Sequence, residues 1–166
     1  VLGRALLESM LVCDGQVIVS VIRKKDMEVY GVDSRDLEGI VSQLRNTKGV
    51  EVAIFLYETA IQEYKVSMRS NRVVDVSRIA AYFGGGGHVR AAGCTMAGSP
   101  YDVLNNLSEQ IEKQLKEEYE PVFGKDLLYK QRLNKFDSFC QENADLSLEE
   151  ALTQYRALSG SKLLKK

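Results

Sequence analysis

Four consecutive glycines, Gly84 to Gly87, are the feature that most constrains the fold of this chain. Glycine loses more backbone entropy on folding than any other residue, and a plain turn needs only one or two of them. Four in a row predict a backbone that takes φ values closed to other residues or that lies very close to another group. Successive exposed N–H groups in such a loop can also form an anion-binding concavity.

The neighbours of the glycine run favour an anion site. His88 follows at once and could donate a hydrogen bond to a phosphate oxygen, while Arg69 and Arg90 could each pair with phosphate through two donors. The small residues 91–93 could let the run lie flat on a sheet. Two alternatives stay open, namely a flexible linker for the run and a structural role for His88.

Two common nucleotide-binding motifs do not match the run. A G-x-G-x-x-G motif should follow a strand and open a helix, whereas this run follows a predicted helix, and the G-K-[ST] of a Walker loop is absent. Cys13, Cys94 and Cys140 are far apart and contain no C-x-x-C pair, and with one histidine they cannot form a closed zinc site. We expect each cysteine to be a small buried residue.

The charge distribution points to a focused site. The net charge of −1 gives no global attraction to nucleic acid. Between residues 65 and 90, however, five basic residues stand against the single acid Asp75. A local basic stretch on a near-neutral chain is typical either of an anion site or of a solvated basic surface.

The size and the N-terminus suggest a fragment of a larger protein. The chain has 166 residues, of which 45% are hydrophobic, enough for one compact domain with an appendage. It contains no run of 18 apolar residues and no signal-peptide pattern, so we expect no membrane span and a cytoplasmic location. It begins with Val1 rather than Met, which fits a fragment.

Hydrophobic periodicity predicts an α/β fold with a mixed sheet flanked by helices. Strand-like segments occur at residues 16–22, 50–57, 64–69 and 92–96. Helical segments occur at 1–10, 36–46 (capped by Ser34), 76–83 (capped by Asp75) and 99–116. The buried stripe of the last helix should consist of Leu104, Leu107, Ile111 and Leu115. The strand at 64–69 alternates cleanly, so it should present one row of polar and basic side chains. That row is Lys65, Ser67 and Arg69.

A helical extension should follow residue 116. Pro121 and Gly124 interrupt the pattern, and Ser147 with Glu150 forms a capping box for a last helix to residue 158. A further helix is predicted at 126–143, with a docking face formed by Tyr129, Leu133, Phe136 and Cys140, and the end of the chain, 162–166, should be frayed.

Several motifs together resemble the DHH-associated (DHHA1) domain of bacterial oligoribonucleases that also act as pAp phosphatases. The motifs are VSMRS at 66–70, VDVS at 74–77, FGGGGH at 83–88 and AAG at 91–93, preceded by DLEGIV at 36–41 and KGVEV at 48–52. The resemblance covers about residues 1–116. RecJ-type exonucleases and cyclic-di-AMP phosphodiesterases belong to the same superfamily.

The resemblance implies a two-domain phosphoesterase. An N-terminal DHH domain would hold divalent metal, usually Mn²⁺, on Asp and His ligands, and the C-terminal domain would hold a short oligoribonucleotide or pAp across the cleft. The implied substrate contacts in this chain are Arg69, Ser70, Gly84, Gly85, Gly86, Gly87, His88 and, as a less essential position, Arg90.

The chain departs from the family in having no Asp-His-His triplet. We therefore expect residues 1–12 to end a linker helix from a missing DHH domain of the same polypeptide, 13–116 to be the DHHA1 domain, and 117–166 to be the extension. Alone, the chain should bind no metal and lack activity, and a homodimer is among the expected assemblies.

Three other functions stay open. A related glycine-rich domain of alanyl-tRNA synthetase binds tRNA without cutting it, although the net charge of this chain argues against that use. The chain could also belong to a cyclic-di-AMP phosphodiesterase or sense a cyclic dinucleotide. The third alternative is an interaction scaffold that uses the C-terminal helices.

Overall fold

The computed structural model describes residues 1–123, 138–147, 149–151 and 153–155. The chain divides into two compact units, Val1–Glu118 and Tyr119–Lys166. The first unit contains the whole sheet and every predicted site residue, so it is the unit that matters for function.

A six-stranded mixed sheet forms the first unit, in the order β1-β2-β3-β4-β6-β5. Its strands are β1 (Met10–Val12), β2 (Val17–Ile22), β3 (Val52–Ala60), β4 (Glu63–Ser70), β5 (Gly86–His88) and β6 (Ala91–Ala97). The helices are α1 (Leu2–Leu7), α2 (Lys24–Tyr30), α3 (Ile40–Arg45), α4 (Val76–Tyr82) and α5 (Pro100–Phe123). Only β2 and β3 pair in parallel. The predicted α/β fold is confirmed.

Helices cover only half of the first face of the sheet. Ala53 of β3 pairs with Arg69 of β4, which pairs with Ala91 of β6, which pairs with His88 of β5. Directly paired residues share a face. Over β2 and β3 this face lies in a core cluster with α1 and α3. Over β4, β6 and β5 it stays open, because there the exposed or half-buried positions are the polar and small ones.

The second face is buried along its length. Val66 and Met68, which point away from the open face, are 0% exposed, as are Leu107 and Ile111 of α5. Helix α4 lies against β5 and β6. The side chain of Gln114 ties α5 to the start of α4, accepting from the Asp75 backbone N–H at 2.9 Å and donating to the Asp75 carbonyl at 3.0 Å.

The four predicted strands are confirmed, but the helix predicted at 36–46 begins only at Ile40. Gly39 precedes it with φ +86°, a left-handed conformation that a continuous helix does not contain. Ser34 does not cap it. The Asp33 backbone N–H instead donates to the Asp36 carboxylate at 2.8 Å, within a series of turns.

Strands β1 and β5 and helix α2 were missed, and two helices differ in detail. The predicted helix at 1–10 ends at Leu7, and Met10 starts the edge strand β1; α2 was not predicted. In α5 the buried stripe contains Val103 (0% exposed) in place of the predicted Leu104, and the helix continues past Pro121 to Phe123. No helix in the described part of the chain combines the length and apolar character that crossing a bilayer requires.

The second unit contains one confirmed prediction. The Ser147 backbone N–H donates to the Glu150 carboxylate at 2.9 Å, and the Glu150 N–H donates to Ser147 Oγ at 3.2 Å, which is the predicted capping box. Cys140, at the end of the predicted docking stripe, is 3% exposed. The other stripe residues, the helix end at 158 and the predicted frayed terminus lie outside the described residues.

Asp75 caps α4 as predicted, and its removal should destabilise the domain. The carboxylate accepts hydrogen bonds from the N–H groups of Ser77 (2.9 Å) and Arg78 (3.2 Å). Asp75→Ala should lower the free energy of unfolding by about 1 kcal/mol, measured from the urea midpoint. Asp75→Asn is the control, because asparagine caps about as well as aspartate. An unchanged midpoint in the alanine variant contradicts the capping role.

The cap should also be pH-dependent. Although burial opposes ionisation, the hydrogen bonds from Ser77 and Arg78 hold the pKa of Asp75 below its ordinary value. A depressed folded-state pKa contributes stability above the unfolded-state pKa of about 4, and this contribution is lost as the pH falls through the folded-state value. Urea midpoints between pH 6 and pH 3 should therefore fall less steeply for Asp75→Asn than for the unchanged chain.

Candidate functional site

A cleft of about 470 Å³ lies on the first face, where the helical layer ends and the open half of the sheet begins. Its lining is Ser34, Arg35, Leu37, Glu38, Gly39, Val41, Phe55, Tyr57, Lys65, Ser67 and Arg69. Three of these side chains are cationic and one is a carboxylate. The cleft therefore has a net positive charge, although the chain as a whole is slightly negative.

Strand β4 supplies the polar wall of the cleft, as its alternation predicted. Lys65, Ser67 and Arg69 all line the cleft. The Arg69 guanidinium is half-buried and donates one hydrogen bond, from Nη1 to the Met68 carbonyl at 2.9 Å. Among the described residues, Lys65 and Ser67 have no side-chain hydrogen-bond or ion-pair partner, so their polar groups are available to a ligand.

His88 stands on the same face, two strands away from Arg69. The register His88–Ala91–Arg69 crosses β5, β6 and β4, so about 10 Å separates the His88 and Arg69 backbones. His88 is exposed, its imidazole has no hydrogen-bond partner in the described part of the chain, and it does not line the cleft itself. The floor between the two residues consists of Ala91 and Gly93. Arg69 and His88 thus flank a shallow floor of small residues that continues into the cleft.

The first residue of the glycine run ends helix α4. Gly84 has φ +80°, its N–H donates to the Ala81 carbonyl at 3.1 Å, and the Gly85 N–H donates to the Ala80 carbonyl at 2.8 Å. This pair of bonds is the Schellman arrangement, in which glycine is favoured because the residue after the helix is left-handed. The role of Gly84 in this structure is therefore to stop the helix and turn the chain.

Gly85 and Gly87 are required by a close backbone approach to β6. A Cβ on Gly85 would lie 2.2 Å from the Gly93 carbonyl oxygen, and one on Gly87 would lie 2.5 Å from Ala92 Cα. By contrast, a Cβ on Gly86 would meet no atom within 4 Å. The close approach predicted from the sequence is present, and the group approached is the chain's own neighbouring strand. From Gly86 onward the run is the edge strand β5, in place of the predicted loop.

Arg90 is half-buried and Ser70 is buried, and the protein's own polar groups occupy both side chains, while their predicted substrate contact stays a prediction. Arg90 Nη1 donates to Ser70 Oγ (3.2 Å) and to the Val74 carbonyl (2.9 Å), and its Nη2 donates to the Arg72 carbonyl. Ser70 is 1% exposed and its hydroxyl donates to the Val89 carbonyl. Because β4 alternates, Ser70 lies on the opposite side from Arg69. Both residues therefore hold the loop between β4 and α4.

Glu51 fixes the same loop from the other side and was not predicted. Its Oε1 accepts from the backbone N–H groups of Arg72 (3.1 Å), Val73 (2.6 Å) and Val74 (2.9 Å), and the residue is 2% exposed. The available sequence signal was a lone glutamate inside the apolar segment 50–57, because a buried charge requires partners. Glu51 and Arg90 together fix the chain just beyond Arg69.

The loop before α3 adds cleft residues that sequence reasoning also missed. Ser34, Arg35 and Glu38 line the cleft although they are far from the glycine run in sequence. The Arg35 guanidinium forms an ion pair with Asp33 at 2.6 Å and holds the pKa of the Asp33 carboxyl below its ordinary value. Glu38 lies in the DLEGIV motif at 36–41, but no role in binding was predicted for it, and no motif marked Ser34 or Arg35 as cleft residues.

The reactive groups of the described residues also include two cysteines of the first unit and side chains of the types that ligate metals. Burial is the main cause that raises the pKa of the Cys13 thiol to about 11, and burial also raises the pKa of Cys94, so neither is poised as a thiolate. No group of three or more His, Cys, Asp or Glu among the described residues could hold a metal ion. The divalent metal that the sequence resemblance implies belongs to the DHH domain, so these residues were not expected to hold it.

The fold is a mixed sheet with an open basic half-face and a glycine-rich edge strand. The family model for the DHHA1 domain matches residues 14–117, and this chain belongs to that family. The family predicted from the sequence motifs is thereby confirmed.

The chain is similar to a curated protein and to several solved structures. Over 84 residues the chain is 37% identical to the bifunctional oligoribonuclease and PAP phosphatase NrnA of Thermus thermophilus, which covers 50% of this chain and 25% of that protein. A solved exopolyphosphatase-related protein from Bacteroides fragilis matches with 25% identity and a TM-score of 0.62, over 75% of this chain and 35% of the other. The C-Ala domain of Aquifex aeolicus alanyl-tRNA synthetase matches with 15% identity and a TM-score of 0.45, over 63% of this chain and 97% of that domain. The chain spans a quarter of the length of NrnA and about a third of the Bacteroides protein.

The glycine run offers a matched pair of variants. Gly85→Ala should push β5 away from β6 and destabilise the domain by about 1–3 kcal/mol, as overpacking does. Gly86→Ala should change the free energy of unfolding by less than about 0.5 kcal/mol, because its Cβ enters open space. Urea midpoints of the two variants check this, and equal losses would contradict the close approach of the run to β6.

Proposed function

We propose that this chain is the substrate-binding domain of a DHH-family phosphoesterase that hydrolyses short oligoribonucleotides, pAp or both. The observation that carries the proposal is the open half-face of the sheet. There Arg69 and His88 stand on either side of a floor of small residues, with polar groups that the described protein leaves largely unused. The relative that cleaves oligoribonucleotides and PAP supports the same substrate class.

The chemistry of this face suits a phosphate. Arginine has a planar fork of five N–H donors, and Arg69 uses one of them on the Met68 carbonyl. The remaining donors can bind phosphate oxygens bidentately. His88 can donate to the same phosphate or to a neighbouring one from the other edge of the floor. Since Glu51 and Arg90 fix the loop after β4, Arg69 should keep its position when a ligand arrives.

The floor suits the flat parts of a nucleotide. Ala91 and Gly93 project at most a methyl group, so a ribose or base can lie directly on the sheet. Where the floor meets the cleft, the half-buried ring of Tyr57 offers an apolar wall, backed by the buried ring of Phe55 with the two centroids 6.2 Å apart. A ligand with a charged backbone and flat apolar rings matches both surfaces.

The hydrolytic step belongs to a second domain in this proposal. The Mn²⁺ of a DHH domain would supply the activated water, and the described residues of this chain offer no ligand set of their own. What this chain contributes is orientation, because Arg69 and His88 fix the angle at which a phosphate is presented. Holding a reactant in this way can supply a large part of a rate enhancement.

Arg69→Ala should weaken nucleotide binding about tenfold or more. A hydrogen bond to a charged group contributes about 1.5–3 kcal/mol, and this substitution removes the cation at the centre of the face. Titration calorimetry of the chain with pAp and with a 5′-phosphorylated dinucleotide measures the effect. Arg78→Ala is the control, because Arg78 carries the same charge but lies exposed on α4 and does not line the cleft.

Two outcomes would contradict the proposal. In the first, pAp and the dinucleotide do not bind, or they bind equally well to the parent chain and to Arg69→Ala. In the second, cyclic-di-AMP binds more tightly than both pAp and the dinucleotide, which it displaces in competition titrations. The cyclic dinucleotide then becomes the favoured ligand.

A further inference from the structure

Strand β4 carries a second basic position, four residues before Arg69. Lys65 lines the same cleft and is exposed, and no described residue forms a hydrogen bond or ion pair with its ammonium group. It pairs directly with Tyr57 on β3 and with Thr95 on β6, so it lies at the far end of the polar row. Neither the family resemblance nor the sequence motifs gave Lys65 a role in binding.

The other charges of the cleft leave Lys65 as its second available cation. The Arg35 guanidinium is engaged by an exposed ion pair with Asp33, with its Nη2 2.6 Å from Asp33 Oδ2. Glu38 is the only carboxylate among the lining residues and, like Arg35, comes from the loop before α3. An anionic ligand that enters the cleft from Arg69 therefore meets Lys65 next along the strand.

The spacing of the two cations determines what ligand can contact both. Four residues of an antiparallel strand span about 13 Å, so Arg69 and Lys65 are separated by roughly that distance along β4. A single sugar–phosphate unit is too short to place one phosphate at Arg69 and the next at Lys65, whereas two consecutive units span that distance. The hydroxyl of Ser67 lies midway, where it can donate to the intermediate phosphate.

We propose that Lys65 selects substrate length: it binds the third phosphate, counted from the one held by Arg69, of a 5′-phosphorylated oligonucleotide. The domain then binds a trinucleotide more tightly than a dinucleotide. The two phosphates of pAp are attached to one ribose, so pAp cannot reach from Arg69 to Lys65. This inference rests on the proposed function, since it takes the phosphate at Arg69 as its starting point.

The test compares three ligands with matched lysine variants. The parent chain, Lys65→Ala and Lys25→Ala are titrated by calorimetry with pAp, 5′-phosphorylated diadenylate and 5′-phosphorylated triadenylate. Lys25 is an equally exposed lysine on α2 and does not line the cleft. Lys65→Arg, which keeps the charge, is the rescue variant. Repeating the trinucleotide titrations at several salt concentrations gives the salt dependence of the affinity, which would not change if Lys65 had only a structural role.

The expected result is a length-dependent loss. The parent chain should bind the trinucleotide about fivefold more tightly than the dinucleotide, the upper range for an exposed ion pair. Lys65→Ala should lose this gain while its affinity for pAp stays unchanged, and Lys65→Arg should restore it. The slope of log affinity against log salt for the trinucleotide should fall by about 0.7 in Lys65→Ala, because one phosphate contact is gone.

The outcomes separate this inference from the proposed function. If Arg69→Ala weakens all three ligands but Lys65→Ala weakens none, or weakens all three equally, length selection by Lys65 is wrong while the proposed function stands. If the parent chain binds no ligand, or Arg69→Ala has no effect, both are wrong.

Discussion

The close contact between the glycine run and β6 decides where a binding site can form on this domain. Because a Cβ at Gly85 or Gly87 would overlap the backbone of β6, only glycine lets the chain leave α4 and join the sheet directly. That joining adds β5 as the edge strand and places His88 in register with Arg69. Gly84, Gly85 and Gly87 therefore each meet a steric requirement of the turn or of the approach to β6, and a Cβ on Gly86 would meet no atom within 4 Å.

The basic residues near the glycine run differ in how many of their hydrogen-bond donors the protein itself uses. The Arg90 guanidinium donates hydrogen bonds to a hydroxyl and to carbonyl groups of the same chain. One carboxylate oxygen of Glu51 accepts hydrogen bonds from three backbone N–H groups, so both residues fix the loop after β4. Arg69 and Lys65 keep most of their hydrogen-bonding capacity for something outside the described protein. A rigid loop beside donors with spare capacity is what precise placement of an anion requires.

Sequence reasoning recovered the elements whose residues carry their own periodic or capping signal. Strand β4 alternates strictly, and Asp75 and Ser147 are caps with partners a few residues away, so all three were predicted correctly. Strand β5 was missed because glycine has no strand preference and the strand exists only through its pairing with β6. The inward orientation of Arg90 and the buried role of Glu51 depend on a loop conformation that no short motif specifies. Arg35 was missed because only the folded sheet brings it beside Lys65.

Strand β5 has a consequence for the dynamics of the site. It contains three residues, two of them glycine, and it pairs on one side only. Such a segment can open locally at a small fraction of the cost of global unfolding. When it opens, His88 leaves its register with Arg69, and the competent arrangement is lost while the rest of the sheet stays folded. The apparent affinity for any ligand that needs both residues is then the intrinsic affinity scaled by the fraction of time that β5 is closed.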